Sequence, residues 1–355
     1  MPISNTMGSP ASDLFTIQDI PDAGRGVIAT RPIEADTLVL TAPCPAVHVI
    51  FRQYRKEVCA QCFHYDRGRT LKVRDNSIGK VFCSIQCQQE WIVEQGDAGI
   101  EAWRALQTYV TSKAKAVSDA SNQITVDQKP DQESIGRAWK QAAEFAQRVR
   151  RNNIQHESNG HADDHGNRKG SHQTWSQHIN PDVLGYILSG VLFNQQHPQE
   201  WQNEVIVLAT DPTPYSTISD LESHCNSFVQ LATILPDDVL PSLEPDLCRT
   251  LAEVSSHNAF GIRSGGEDRE EYMGYSLYPS ASYFNHSCEP NIGKQQIGRQ
   301  WLFKASRPVS KNEQLCISYL GGDEKDLSIT ERRSRLKSQW GFECMCQRCV
   351  REDGS

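Results

Sequence analysis

Four cysteines between residues 59 and 87 restrict what this part of the chain can fold into. Cys59 and Cys62 form one close pair, and Cys83 and Cys87 form a second pair further along the chain. Two such pairs on separate turns supply the tetrahedral set of thiolates that a structural zinc ion needs. The intervening residues 67–80 are mostly polar and have little apolar surface to bury. We therefore predict a small domain organised by a metal ion rather than by a hydrophobic core.

A second group of cysteines lies near the C-terminus, at Cys344, Cys346 and Cys349. Three thiolates leave one position of a tetrahedral zinc site to fill, and Cys288 is the leading candidate for it. This pairing requires the tail to fold back onto the segment around residue 285. The remaining cysteines stand singly in apolar or mixed contexts and are interpreted as small core residues; they are Cys44, Cys225, Cys248 and Cys316.

Charge and hydropathy exclude several classes of function. The 355 residues carry a net charge of -8, which argues against broad, sequence-blind binding to nucleic acid or anionic membrane. No apolar run approaches the roughly 18 residues that span a bilayer, and residues 1–13 lack the apolar segment of a secretory signal. We therefore expect an intracellular protein with reduced cysteines, in the nucleus or the cytoplasm. Residues 52–80 are locally basic, either as a solvated face or as a surface for an acidic protein partner or nucleic acid.

The hydrophobic pattern changes along the chain between strand-like and helix-like. Short strands separated by turns are predicted before residue 50 and again between 255 and 319, with a helical region between them. Segments with a helical period are 90–109, 138–149, 182–193, 221–235, 247–254 and 326–340. Residues 152–174 are rich in His, Asn, Asp, Gly and Ser and nearly lack large apolar side chains, so we interpret them as a disordered loop.

Several motifs occur in an order that resembles a known family. Residues 285–291 read Asn-His-Ser-Cys-Glu-Pro-Asn, residues 313–319 end in Ser-Tyr, and residues 341–349 contain the terminal cysteines. Together with Gly-Arg-Gly-Val at 24–27, they resemble the SET-domain lysine methyltransferases. The cysteine-pair module is similar to a MYND finger, which points to the SET-and-MYND (SMYD-type) subfamily.

This resemblance implies an α+β fold of small sheets with a knot-like C-terminal crossing, interrupted by a zinc finger and a helical insertion. The predicted division of the chain is a disordered N-terminus at 1–14, the first part of the SET domain at 15–50, a truncated finger at 51–92, a helical insertion at 93–254, the SET core at 255–325, and a post-SET helix and zinc-binding tail at 326–355.

The chain also departs from the family pattern. A MYND finger usually binds two zinc ions, but the second ligand set is missing here, so we expect one ion in the finger and one at the tail, or three ions in all if further finger ligands exist. Trp340 stands where relatives commonly carry a second tyrosine in the substrate channel. Tyr283 is bulkier than the aliphatic residue expected at its position and would narrow that channel.

The resemblance further implies S-adenosylmethionine as methyl donor and a protein lysine as acceptor, with Tyr319 as the catalytic residue. The cofactor would be held by Arg25, Gly26, Asn258, Asn285, His286, Tyr319 and Phe342. The channel would include Tyr283 and Trp340, and we expect a monomer. The alternative is a SET and MYND scaffold that recruits protein partners with little or no turnover. The substrate protein, which could be a histone or another protein, and the number of methyl groups added both stay open.

Overall fold

The computed structural model describes residues 10, 12–113, 128–159, 178–264, 271–321 and 325–354. Seven helices of more than one turn lie in these ranges, five of them between the two strand-rich regions. They are α1 (Ile85–Ser112), α2 (Gln132–Asn159), α3 (Pro181–Gln196), α4 (Ile218–Ile234), α5 (Pro245–Asn258), α6 (Ile329–Trp340) and α7 (Gln347–Asp353). A short helical stretch, Pro198–Glu200 and Trp201–Val205, follows α3.

Twelve short strands make up the sheets of the described residues. They are β1 (Phe15–Ile20), β2 (Gly24–Ala29), β3 (Leu38–Ala42), β4 (Val47–Ile50), β5 (Val73–Asp75), β6 (Lys80–Phe82), β7 (Ala259–Arg263), β8 (Tyr272–Leu277), β9 (Asn285–His286), β10 (Ile292–Ile297), β11 (Gln300–Ala305) and β12 (Gln314–Ile317). Their sheets have the orders β1-β2-β12-β9, β10-β11-β3, β4-β8-β7 and β5-β6. The small sheets together with the helices of the described ranges confirm the predicted α+β class.

The sheet β1-β2-β12-β9 joins the two ends of the chain. Strand β12 runs antiparallel to β2 and parallel to β9, so it lies between a strand from the N-terminal region and one from residues 285–286. The buried side chains of Val27 and Leu315 face each other across the first of these pairings. This order brings the Gly24–Gly26 end of β2 next to the Asn285–His286 segment; the sequence pattern predicts a turn there, but these residues pair with β1 as a strand.

A buried asparagine fixes the crossing of the C-terminal segments. The Asn291 amide donates to the carbonyl of Gln314 (2.8 Å) and to the carboxylate of Glu313 (3.0 Å), and its Oδ1 accepts from the N–H of Cys316 (2.8 Å). All of these partners lie on or beside β12, so Asn291 ties its own segment directly to that strand. Because a buried amide with unmade hydrogen bonds is costly, these bonds specify the position of the crossing.

Helix α3 forms the centre of the helical region. Its residues are apolar nearly all round, and nine of them are buried, as expected of a helix packed on several sides. The helix contacts β4, α1, α4 and α5. Asn180 caps its N-terminus by accepting from the N–H groups of Asp182 and Val183. The insertion is thus a packed helical layer on the strand-rich part.

The finger is docked on the rest of the molecule through the β10–β11 hairpin. Arg299, in the hairpin turn, donates to both carboxylate oxygens of Glu94 on α1 at 2.6 and 2.8 Å. It also donates to Oε1 of Gln61 at 3.2 Å, next to the cysteine ligand Cys62. Paired hydrogen bonds of this kind fix both distance and orientation.

The helical segments predicted from the sequence are all present, and some extend beyond the predicted bounds. Helix α1 starts earlier, at Ile85, and is kinked at Gly96, whose φ of 64° suits glycine. Helix α2 continues to Asn159, so the first eight residues of the predicted 152–174 loop are helical, contrary to the prediction. The rest of that loop, and residues 1–9 and 11 of the predicted N-terminal tail, lie outside the described residues. Leu14, placed in that tail, is instead buried.

Candidate functional site

Cys288, Cys344, Cys346 and Cys349 come together at the C-terminal end of the molecule, as predicted, and are named here the tail cluster. Their sulfur atoms all lie within 4.8 Å of one another. Cys288 Sγ is 3.8 Å from that of Cys344 and 3.6 Å from that of Cys349. A tetrahedral zinc ion with Zn–S bonds of about 2.3 Å would require sulfur separations of about 3.8 Å. The donor set and its spacing therefore fit a zinc ion.

Arginines from the terminal helices surround the tail cluster. The fully buried Arg332 donates to Cys349 Sγ (3.6 Å) and to Glu352 (2.5 Å). Arg333 donates to the carbonyl of Cys344 at 3.2 Å. Four thiolates around a divalent ion carry two net negative charges, so guanidinium groups at this position offset a charge that burial would otherwise make costly.

Cys59, Cys62, Cys83 and Cys87 form the second group, named here the finger cluster, and also lie within 4.8 Å of one another. Cys62 and Cys83 are 3.5 Å apart, and Cys83 and Cys87 are 3.4 Å apart. Hydrogen bonds from the Cys62 thiol and from nearby backbone N–H groups lower the pKa of Cys59 to about 5, which favours the thiolate that a metal requires. In the described part of the chain, these two clusters are the groups that could hold a metal ion through three or more Cys, His or carboxylate ligands.

His286 connects the tail cluster to Tyr319. Its Nδ1 accepts a hydrogen bond from the backbone N–H of Tyr319 at 3.0 Å, and its Nε2 lies 3.3 Å from Cys288 Sγ. Because Nδ1 is an acceptor here, the proton of a neutral imidazole is on Nε2 and is donated to the sulfur. The imidazole therefore holds Tyr319 in a fixed position relative to the metal ligands.

The Tyr319 hydroxyl donates to the carbonyl of Phe284 at 2.9 Å. Burial, and to a lesser extent the neighbouring Cys316, raise the pKa of Tyr319 above its ordinary value, so the phenol is protonated at neutral pH. Since its proton points to Phe284, the lone pairs of the oxygen are left to accept from another donor. Tyr319 is thus a positioned acceptor, held through its backbone N–H by the His286 imidazole and through its hydroxyl by the carbonyl of Phe284.

Aromatic rings line one side of Tyr319. The ring of Trp340 lies 5.3 Å from that of Tyr319, and the ring of Phe342 meets it edge-on at 6.4 Å. Gly341 stands between the two aromatic residues with a φ of 75°, which ends α6 and turns the chain toward the cysteines. Such a wall suits a methylated cation. The structure therefore brings Trp340 and Phe342 to Tyr319, as the motifs predict.

The β2 end of the site contains Arg25, Gly26 and Asn285. The Asn285 amide donates to the carbonyl of Arg25 at 3.3 Å. A Cβ on Gly26 would lie 2.8 Å from the Asn285 amide nitrogen and 2.7 Å from Ile20, so any larger residue here would have to displace these side chains. These contacts join the start of β2 to the segment that carries His286.

Two predicted site residues make other contacts. Tyr283 is buried, and its hydroxyl accepts a hydrogen bond from the Arg25 guanidinium at 3.4 Å. The same guanidinium lies 4.9 Å from the centre of the Tyr283 ring. It also donates to the carbonyl of Val207, in the helical region. The Asn258 amide donates to the carbonyls of Ala209 and Val254 at 2.8 and 2.7 Å. Tyr283 and Asn258 thus lie at the junction with the helical region, and neither is among the ring contacts of Tyr319.

Sequence reasoning missed the parts played by Asn291 and Arg332. Asn291 belongs to a motif that was recognised, yet no role was assigned to it. Arg332 lies in the predicted 326–340 helix, where a charged side chain would be expected at the surface, yet it is fully buried. A usable signal for Arg332 was its spacing of four residues before Leu336, a buried position on the same helix face.

Comparison with known proteins identifies the fold of this site. The family model described as the SET domain matches residues 24–320, which is most of the chain. This range includes the part of the site from the start of β2 to Tyr319, and Trp340, Phe342 and the three C-terminal cysteines of the tail cluster follow it.

Several curated relatives match over shorter segments. A potential protein lysine methyltransferase, SET6, of Saccharomyces cerevisiae is 42% identical over 127 residues, covering 35% of this chain and 34% of the relative. A SET and MYND domain-containing protein of Dictyostelium discoideum is 36% identical over 107 residues, covering 30% and 26%. The human histone-lysine N-methyltransferase SMYD3 is 42% identical over 83 residues, covering 23% and 18%. The matched segments thus span about a third or less of these relatives. No helix in the described ranges is long and apolar enough to cross a bilayer.

Proposed function

The chain belongs to the SET domain family, and we propose that it is a protein-lysine N-methyltransferase that uses S-adenosylmethionine. The observation that carries this proposal is the environment of Tyr319. Its hydroxyl is a neutral acceptor fixed by Phe284 and His286, beside an aromatic wall and next to the tail cluster. The names of the yeast and human relatives point to the same activity.

Methyl transfer to lysine needs a neutral amine in line with the methyl group. Near pH 7, deprotonating a free lysine of pKa about 10.4 costs about 4.6 kcal/mol. A desolvated channel lowers that cost because burial disfavours the ammonium form. The Tyr319 oxygen can accept a hydrogen bond from the amine and so orient its lone pair, which is the contribution we assign to this residue.

Bound S-adenosylmethionine would supply an electrophilic methyl group on a cationic sulfur. The backbone around Arg25 and Gly26 and the Asn285–His286 segment are assigned to its polar groups, and Phe342 is assigned to its adenine. The rings of Tyr319 and Trp340 suit the cationic sulfur and the methylated amine. Trp340 lacks a phenol hydroxyl, so we expect fewer hydrogen bonds to the amine than a second tyrosine would give. The zinc ions proposed for the tail and finger clusters would have a structural role.

The substrate is proposed to be a lysine on an exposed protein tail or loop, in the nucleus or the cytoplasm. SMYD3 is named for histone lysine, so histones are the first substrates to test with this chain. The identity of the protein and the number of methyl groups are left to experiment.

The test is transfer of a radiolabelled methyl group from S-adenosylmethionine to histones and to a cell lysate. We expect labelled protein with the wild type, and about 10²-fold less with Tyr319→Phe, because the substitution removes the oriented oxygen and leaves the ring in place. Binding of the cofactor, measured by calorimetry, should change only several-fold.

Tyr272→Phe is the matched control, since Tyr272 is 42% exposed and should have no effect on transfer. Full activity of Tyr319→Phe would remove this residue from the proposed role. Absence of both transfer and cofactor binding in the wild type would reject the enzyme and favour the scaffold alternative.

A further inference from the structure

A cavity of about 70 Å³ lies where the finger meets the helical region. Its lining includes Arg52, Arg55 and Lys80 of the finger, Trp103 of α1, and Asp182 in the first turn of α3. One water molecule needs about 10–15 Å³ of such space. The cavity therefore has room for more than one water-sized group, enough to admit a small ion such as phosphate or sulfate.

The charges that line this cavity are unbalanced. Three cationic side chains and one carboxylate leave a formal excess of two positive charges. Asp182 accepts a hydrogen bond from the backbone N–H of Arg52 at 2.7 Å, so the carboxylate is bonded to the main chain. Across the described ranges, none of the salt bridges involves Arg52, Arg55 or Lys80.

The cations also lie in surroundings of low polarity. The Lys80 ammonium lies 3.7 Å from the centre of the buried Trp103 ring, and aliphatic side chains form the other walls. Burial lowers the pKa of Lys80 to about 8 and, together with the nearby Arg55, lowers the pKa of Arg52. A positive excess in such surroundings is costly unless an anion neutralises it.

We propose that this cavity binds a small tetrahedral oxyanion, a phosphate group being the ligand that its size and charge fit. A phosphate dianion would neutralise the excess charge and accept hydrogen bonds from the ammonium and the guanidinium groups. The N-terminus of α3, which contributes Pro181 and Asp182 to the lining, adds a favourable dipole. This site is separate from the residues assigned to methyl transfer.

The test is calorimetric titration of the full chain with inorganic phosphate at constant ionic strength, with chloride as the reference anion. We expect one phosphate per chain. Lys80→Gln should weaken binding at least about tenfold, because it removes a charge-assisted hydrogen bond. Asp182→Asn should strengthen binding, because it removes the competing negative charge and keeps an acceptor for the Arg52 N–H.

Lys72→Gln is the matched control, because Lys72 is an exposed lysine of the same finger outside the cavity. A parallel titration with O-phosphoserine separates two sources of the group: binding of both ligands indicates a phosphorylated side chain, and binding of phosphate alone indicates the free ion. No binding beyond chloride, or equal binding by the wild type and Lys80→Gln, would overturn the proposal. If Lys80→Gln does not fold, the phosphate affinities of Arg55→Gln and Asp182→Asn are compared with that of the wild type instead. Equal affinities of all three proteins would reject the site.

Discussion

The tail cluster and the finger cluster each consist of four cysteines, but these cysteines come from differently arranged parts of the chain. The finger ligands come from one continuous segment, residues 59–87, and Cys83 is exposed. The tail ligands combine Cys288 with cysteines more than 50 residues later, and three of the four are buried. Arg332 donates directly to a tail sulfur, whereas Cys59 of the finger accepts from backbone N–H groups.

This difference indicates different consequences of metal binding. A metal in the finger would stabilise a local module that contacts the rest of the molecule through Arg299 and Glu94. A metal in the tail cluster would close a long loop and hold together the segments that carry His286, Tyr319 and Phe342. Only the tail cluster is therefore expected to determine whether the candidate active site exists.

The largest expected effect comes from removing one ligand of each cluster. Cys288→Ser should lose one of two bound zinc ions, abolish detectable cofactor binding and lower methyl transfer at least about 100-fold, since structural zinc contributes folding free energy directly. Cys62→Ser should lose the other ion and keep cofactor binding within a few-fold. For both variants, metal analysis measures the bound zinc, and calorimetry with S-adenosylmethionine measures cofactor binding. If Cys288→Ser binds the cofactor as tightly as the wild type, or if Cys62→Ser no longer binds it, the different roles assigned to the two clusters would be wrong.

A smaller effect is expected from the charge around the tail cluster. Arg332→Met keeps much of the buried volume but removes the guanidinium beside Cys349, so zinc affinity at this cluster should fall about 10–100-fold. Competition with a chelator should then show that the tail ion, and not the finger ion, is released earlier than in the wild type. Lys337→Met, an exposed change on the same helix, is the control. Equal release from Arg332→Met and the control would assign Arg332 to packing alone.

The smallest effect concerns the contact that docks the finger. Burial alone would raise the pKa of Glu94, but the hydrogen bonds from Arg299 outweigh it and hold the pKa below its ordinary value. A lowered folded-state pKa adds stability above the unfolded value of about 4.3, and this stability is lost as the pH falls through the folded pKa.

Glu94→Gln should therefore destabilise the protein by about 1 kcal/mol at pH 7, because a partly exposed pair is screened by water. The difference from the wild type should shrink as the pH falls below about 4. Urea unfolding at pH 7 and at a pH below about 4 measures the free energy difference between the variant and the wild type. Glu101→Gln, on the same helix, is the control. If the difference in unfolding free energy became larger at acid pH, the folded-state pKa of Glu94 would not be lowered as stated.

Much of the site could be predicted because its residues lie in short motifs with fixed order. The joining of Cys288 to Cys344, Cys346 and Cys349 follows from the need for four ligands, and the nearness of Trp340 and Phe342 to Tyr319 follows from their positions beside those ligands. The roles of Asn258 and Tyr283 in cofactor or substrate binding stay predictions, since Asn258 is bonded to carbonyls of the helical region and Tyr283 contacts Arg25.

Other features depend on tertiary contacts that a sequence pattern does not carry. Arg332 is buried because Glu352 and Cys349 meet it from another helix. Arg52 and Lys80 belong to the basic segment 52–80, and the helical region places Asp182 and Trp103 beside them at the same cavity. Helix α2 extends beyond residue 152 although the local composition is polar. Periodicity and composition alone therefore do not predict where a helix ends.

The position of β12 between β2 and β9 has a consequence for synthesis in the cell. Strand β2 leaves the ribosome about 290 residues before the strand that completes its pairing. At about 5–20 residues per second, its free edge waits roughly 15–60 s for that partner. Nascent chains are thus expected to need protection by chaperones over this interval, and a chain stopped before residue 314 would keep an open sheet edge for as long as it persists.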